Sequence, residues 1–455
     1  MSPRPRLFSM SVASVFALIA IGVAPQAVAE PCTGAAAAIQ PPPNAGETPA
    51  LPGGPPRGHR PAGADEGAPL PRLGQIPGLR GQVQQQAAVR PVAPVPPQPG
   101  AQPAPAPAPA PPSPPGTSLV GWVTGPDSPN ETARRFAITG TDLGIMWDNG
   151  RGQVLMAFGD TYGYCSVKGQ QWRYNVLFRS QDGALSNTVA VPDGVVGNPQ
   201  SGSPLWAPGL SKQIINSLKW APTEKGIIPT AGISVGGQQY INFMSIRSWD
   251  SDGRWTTNYS AIAVSPDNGE HWGVYPDSVR AAGPGIDKVK YVPGNENFQM
   301  GAFLRPGPGD PYLYSFGTPS GRGGSAYIAR FAPSHLPDPR RWEYWSSASN
   351  AWVPADPGAA TVVIPGPVGE MSAQYNTHLK QYLVLYCNGH NDVVMRTAPA
   401  PQGPWGPEQL LVPSAQFPGG IYAPYLHPWS TGRELYFNLS EWSAYNVMLM
   451  KSVLP

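Results

Sequence analysis

The sequence predicts an all-β protein, a five-bladed β-propeller preceded by a signal peptide and a disordered Pro/Ala-rich tail. Three observations carry this. No Trp, Tyr or Phe occurs between Glu30 and Gly116, whereas all 14 Trp of the 455-residue chain follow that stretch. Strand-like segments then recur in five similar groups. Helical periodicity is nearly absent; only Ser211 to Trp220 has the spacing of a short amphipathic helix.

The first segment is an address. Arg4 and Arg6 precede the apolar run Val12 to Val23, which is short for a membrane span. Ala27-Val28-Ala29 is a small-residue cleavage pattern, so residues 1–29 read as a secretory signal peptide. Glu30 and Pro31 stand where a lipobox ahead of Cys32 needs small residues, so lipidation is not expected. The expectation is a secreted or envelope-associated protein with no stable transmembrane anchor.

Residues 30–116 end in the Ala-Pro run Pro103 to Pro115. Without aromatic residues this stretch cannot bury enough apolar surface to offset its ordering entropy. A disordered or polyproline spacer follows, dispensable for folding of the remainder. Residues 117–455 then form one domain, large for a single core, which favours a repeat architecture.

The repeats share a second strand and a third strand. The second strands are Gln153 to Gly159, Gln239 to Ser245, Pro311 to Gly317, Gln381 to Cys387 and Glu434 to Leu439. The third strands are Asn175 to Ser180, Ser260 to Ser265, Ala326 to Arg330, Asp392 to Thr397 and Asn446 to Ser452. Five tandem antiparallel sheets fit a propeller better than a β-sandwich. Ser265 to Trp272 reads S-x-D-x-G-x-x-W and resembles the Asp-box turn of sialidase-like propellers. There Asp267 caps backbone amides, Gly269 supplies positive φ and Trp272 tucks beneath. Ser180 to Gly183 is a degraded copy, so Asp182 and Asp267 read as structural.

Composition removes several functions. Charged residues make up 13% of the chain and net charge is +2, which gives no basic field for nucleic acid. Three Cys cannot build a disulfide scaffold or a zinc cluster. No P-loop, dinucleotide-binding Gly pattern or nucleophile triad is present, and neither a cofactor nor a metal is expected. Cys165 and Cys387 fall near one face, where export permits a disulfide between them.

Aligning the repeats on their second strands brings carboxylates together. Asp142 and Glu370 occupy matching places upstream in blades one and four, and Asp160 ends the second strand of blade one. Glu296 is a fourth candidate, at the start of the inner strand of blade three. Carboxyl groups gathered in a partly apolar pocket acquire separated pKa values, as glycosidic cleavage requires. A lone Asp before Gly or Thr is otherwise an ordinary turn cap, so convergence is what decides. Aromatic residues surround the same end of the domain: Tyr162, Tyr164, Trp172, Trp249, Trp255, Trp442 and Tyr445. The expected substrate-binding set is Trp172, Asn175, Arg247, Trp249, Gln299, Asn391, Asn438 and Trp442, with rings for sugar C–H faces and polar groups for hydroxyls.

The stretches TGTDLGIMWDNGRGQVLMAFGDTYG, GEMSAQYN, RTAPAPQGPWG and YFNLSEWSAYNVMLMKS together resemble a secreted actinobacterial family. It was long catalogued as a domain of unknown function (4185) and is grouped as glycoside hydrolase family 183. The resemblance covers roughly Gly121 to Pro455. It implies endo-D-arabinanase activity on the arabinogalactan and lipoarabinomannan of mycobacterial cell walls. It carries over Asp142, Asp160 and Glu370 as motif positions. It does not assign their roles; the hydrolase hypothesis takes Asp142 as the base or nucleophile, Glu370 as the general acid and Asp160 as an orienting carboxylate, and an arrangement with Asp160 as the acid stands beside it. The expected partner is cell-wall polysaccharide and the expected state a monomer. The alternative is a non-catalytic propeller that binds envelope glycan or a protein.

Overall fold

The computed structural model describes residues 32, 34–49, 51, 116–250, 253–286 and 288–455. The expected signal peptide and residues 52–115 of the tail lie outside the described residues.

Five antiparallel sheets follow one another around an axis. Their innermost strands are Leu143–Asp148, Gly226–Val235, Met300–Leu304, Met371–Asn376 and Ile421–Leu426. Each inner strand packs on the next, and the first packs on the fifth. The second strands Val154–Phe158, Gln238–Trp249, Leu313–Thr318, Gln381–Cys387 and Glu434–Glu441 match the expected ones closely. Blades bury both faces of these strands against their neighbours. Val154–Phe158 is accordingly buried at every position and reads as a continuous apolar run rather than an alternating one.

The ring closes through the domain's own ends. Gly116–Trp122 pairs with Asn446–Val453, from Gly116 opposite Val453 to Trp122 opposite Met448. The first strand of the domain is thus the outermost strand of the last blade, and backbone hydrogen bonds span the seam. At another blade junction Gly232 makes room for a ring. A Cβ there would stand 2.1 Å from the Trp147 indole. That indole donates to Gln239 Oε1 at 2.9 Å, pinning blade one to blade two.

The S-x-D-x-G-x-x-W turn forms as expected. Asp267 Oδ1 accepts from the His271 amide at 2.8 Å, and the Trp272 indole donates to the Gly269 carbonyl at 3.0 Å. Gly269 has φ +82°, open to glycine at little cost. Asn268 of this turn bonds Asn149, just past the far end of the inner strand of blade one. The turn therefore lies opposite the end that carries Asp142. Asp182 likewise accepts from the amides of Ala184, Leu185 and Ala190.

Two sequence expectations are corrected here. Ser211 to Trp220 forms no helix. Asn175 Oδ1 captures the Ile214 and Ile215 amides, and Glu224 Oε1 captures those of Trp220 and Ala221. Side chains from elsewhere thus take donors that helical carbonyls would have used. The disulfide is Cys32–Cys165, not Cys165–Cys387; Cys387 is free and buried.

The bridge joins positions 133 apart, and part of the stretch 30–116 expected as a disordered spacer is ordered against the domain. Residues 34–38 form a short helix, and Ile39 and Ala45 pack on Ala137, Tyr164 and Leu210 of blade one. Closing a loop of this length is worth ~5 kcal/mol on chain entropy alone, while measured bridges typically give ~2–4 kcal/mol. Reduction of the mature protein is therefore expected to lower Tm by several degrees. Calorimetry with and without reductant measures this, and an unchanged Tm would show that the bridge is energetically idle.

Candidate active site

The pocket opens where the inner strands begin. Asp142, Asp160 and Glu370 all line it, together with Arg322, Trp249, Trp255, Tyr422, Tyr425, Trp442 and Tyr445. Asp142 directly precedes the inner strand of blade one, and Glu370 directly precedes that of blade four. Asp160 lies two positions past Phe158, the last residue of the second strand of blade one.

The backbone around the pocket is irregular in a consistent way. The inner strands of blades one, two and five each carry a bulge, after Leu143, Pro229 and Tyr422. Leu143 and Ala423 have φ of +71° and +56°, costly for residues bearing a Cβ. Blade five supports the first bulge: Ser440 Oγ accepts from the Leu143 amide at 2.9 Å, and Asn438 Nδ2 donates to the Gly144 carbonyl at 2.8 Å. Bulges turn side chains out of their regular alternation. Here they flank Asp142 and Tyr422, whose hydroxyl donates to Asp142 Oδ2 at 3.1 Å.

The carboxyl groups occupy unequal environments. Asp142 is partly exposed as a residue, but its Oδ1 is shut off from solvent without a hydrogen-bond partner. Burial pushes the Asp142 carboxyl up to about 7; the Tyr422 hydrogen bond opposes this, nearby Glu370 adds to it and Arg322 counters. Asp160 is 4% exposed. Burial and then the charge of Asp142 hold it well above the ordinary carboxylate range, against a 3.2 Å hydrogen bond from the Trp172 indole. Glu370 takes a two-pronged contact from Arg322, Nε to Oε2 at 2.9 Å and Nη2 to Oε1 at 2.7 Å. The Arg322 guanidinium lies 5.2 Å from the Trp255 ring and 4.9 Å from that of Tyr422, and its Nη1 is buried without a partner. Burial works against the charge of Arg322, but Glu370 reverses this and leaves its pKa raised. Burial and Asp142 keep the Tyr422 and Tyr445 hydroxyls protonated, hence available as donors.

Among the proposed binding residues, Trp249 and Trp442 line the pocket. Trp172 contacts Asp160 from behind it. Asn175, Gln299, Asn391 and Asn438 are not part of the pocket lining. Asn175 Nδ2 bonds the Ile215 and Ile227 carbonyls; Gln299 Nε2 bonds those of Arg280 and Asn295. Asn391 Nδ2 reaches the Ile421 carbonyl and Asn438 Nδ2 that of Gly144. Their amides staple blade to blade, which explains why polar side chains stand near the site yet are buried. Arg247 is exposed on the second strand of blade two and is not part of the pocket lining. Glu296 lies in the turn before the inner strand of blade three, where it accepts from Tyr291 Oη and the Gly294 amide. The principal residue missed was Arg322. It sits in a loop after the second strand of blade three, with no repeat counterpart to flag it. Among the described residues no group of three or more His, Cys, Asp or Glu side chains is arranged to hold a metal ion.

Two curated fungal proteins are similar to this chain. Notoamide biosynthesis cluster protein J′ of Aspergillus versicolor is 27% identical over 336 residues, covering 69% of this chain and 84% of its own. Notoamide biosynthesis cluster protein J of an Aspergillus strain is 26% identical over 331 residues, covering 69% and 82%. Among solved structures, a putative hydrolase of Bacteroides ovatus superposes with a TM-score of 0.48 at 14% identity, over 70% of this chain and 87% of its own. The α-L-arabinofuranosidase catalytic domain of Coprinopsis cinerea gives 0.40 at 12% identity, over 73% and 95%. The model of a domain of unknown function, DUF4185, matches residues 127–451, spanning all five inner strands and every pocket carboxylate, and the chain belongs to that family.

Proposed function

We propose that this protein is an exported glycoside hydrolase that cleaves internal α-D-arabinofuranosyl linkages of mycobacterial arabinogalactan and lipoarabinomannan. One observation carries the hydrolase reading: the carboxyl groups of Asp142 and Asp160 share one pocket walled by Trp249, Trp255 and Trp442, where burial pushes both upward and the charge of Asp142 adds to the shift of Asp160. Such a pair supplies one protonated and one ionised partner, as acid–base cleavage of an acetal needs. The aromatic walls suit sugar C–H faces. The arabinan substrate rests on the family resemblance carried by the TDLG and FGDT motifs. Export is supported by the N-terminal leader and by Cys32–Cys165, a bond typical of oxidising compartments.

The geometry favours Asp160 as general acid. Both Glu370 oxygens are already engaged as acceptors by Arg322. Asp142 is the base or nucleophile, and the Glu370–Arg322 pair sets the field around it. Asp142 acts ionised and its carboxyl stands at about 7, so kcat/KM is expected to rise with pH through that value. A falling limb there would make Asp142 the acid. The defining experiment is incubation with purified arabinogalactan and lipoarabinomannan, with release of oligoarabinosides as the expected result. Binding without any release would support the non-catalytic propeller instead.

A further inference from the structure

The active-site loop of blade one contains an unusual turn directly before Trp172. Gly169, Gln170 and Gln171 have φ of +70°, +55° and +46°. Three successive left-handed residues, two of them bearing a Cβ, persist only where their surroundings hold them. The support comes from far away in sequence. Gln171 Nε2 donates to the Gly46 carbonyl, while its Oε1 accepts from the Tyr164 amide at 3.0 Å. The Thr48 hydroxyl lies 3.5 Å from the Trp172 carbonyl. Leu51 packs on the cluster that contains Trp172, Tyr162 and Tyr445. The other end of this strap is anchored on the same loop by Cys32–Cys165. Trp172 in turn donates its indole N–H to Asp160.

We propose that the strap of residues 32, 34–49 and 51 is a working part of the active site: it fixes the turn before Trp172, and Trp172 is a positioning residue that holds Asp160 in place. The inference rests on the reading of Asp160 as a catalytic group. The full mature chain is the material for the test, with Cys32→Ser to release the strap, Trp172→Phe to remove the indole N–H while keeping an aromatic ring, their combination, and Asp160→Asn as reference. Cys32→Ser is expected to lower kcat on arabinan about tenfold, with KM changed little, because small displacements of a catalytic group are costly. The pH limb that belongs to Asp160 moves upward, since the indole bond opposes its displacement. Trp172→Phe gives the same pattern, and the combined variant adds little to either. Amide exchange across residues 160–172, which needs no activity, rises about tenfold in Cys32→Ser. A Cys32→Ser protein with lower Tm but unchanged kcat, pH profile and loop exchange would overturn the proposal and leave the strap merely structural. If Asp160→Asn retains activity, the assignment of Asp160 fails instead. If Asp160→Asn is inactive while Cys32→Ser is unaffected, the strap proposal alone fails.

Discussion

Replacing Asp142 or Asp160 with Asn is expected to abolish most hydrolysis while making the folded protein more stable. A general acid or base contributes ~10²–10⁴-fold, and the amide keeps the shape without the proton chemistry. The stability gain follows from linkage. The Asp142 carboxyl starts from an ordinary value of 3.8 and rises to about 7 in the folded protein. Between those values the folded state binds more protons than the unfolded state, so stability falls as pH rises through this window and stays reduced above it. At one pKa unit per 1.36 kcal/mol, the penalty above pH 7 is on the order of 4 kcal/mol at most. Asp160, displaced upward by burial and by Asp142, contributes in the same direction. Thermal melts at pH 5 and pH 8 measure this, with a larger gain for both variants at pH 8. Variants that are less stable at pH 8, or fully active, would remove these residues from the site. The pattern is that of a catalytic centre maintained at the expense of stability.

Removing Arg322 is expected to damage both fold and activity. Its side chain is 16% exposed and that of Glu370 8%. Stripping one partner from a buried ion pair costs ~3–5 kcal/mol, because the other charge remains uncompensated. Arg322→Met should show a loss of this size in denaturant melts. The activity that remains carries a second signature. Arg322 holds the Asp142 carboxyl down while Glu370 pushes it up, so losing the cation sends Asp142 higher. The rising limb of kcat/KM then moves above pH 7. Arg322→Lys restores charge but not the planar fork over Glu370, and recovers stability only in part. A stable Arg322→Met protein with an unmoved pH profile would show that the pair does not tune Asp142.

The carboxylates were legible in the sequence because they obey the repeat. Asp142 and Glu370 each precede an inner strand, and Asp160 follows a second strand, so aligning apolar runs was enough to place them at one end of the axis. Arg322 obeys no such register. Its loop reaches the pocket because its amide bonds the Gly253 carbonyl of blade two, a contact between blades that a strand pattern does not encode. Four polar residues expected on substrate stand outside the pocket lining for a related reason. Asn175, Gln299, Asn391 and Asn438 are near the site in sequence, but their amides answer unpaired backbone groups where strands end. Proximity along a strand does not tell which way a side chain turns once a neighbouring blade offers a carbonyl.

The sequence by itself determined the all-β class, the five blades and the register of their second strands. It also placed the Asp-box turn and three acidic positions. These depend on local periodicity and turn chemistry, which act over a few residues and are written in residue order. Tertiary structure alone decided the rest. It selected Cys32 over Cys387 as the partner of Cys165, undid the helix at 211–220, and set Arg322 on Glu370 and the strap behind Trp172. Each of these couples residues well separated along the chain that meet only in the packed molecule. Their free energy comes from desolvation and from satisfying buried polar groups, quantities defined by the packed molecule rather than by spacing along the chain.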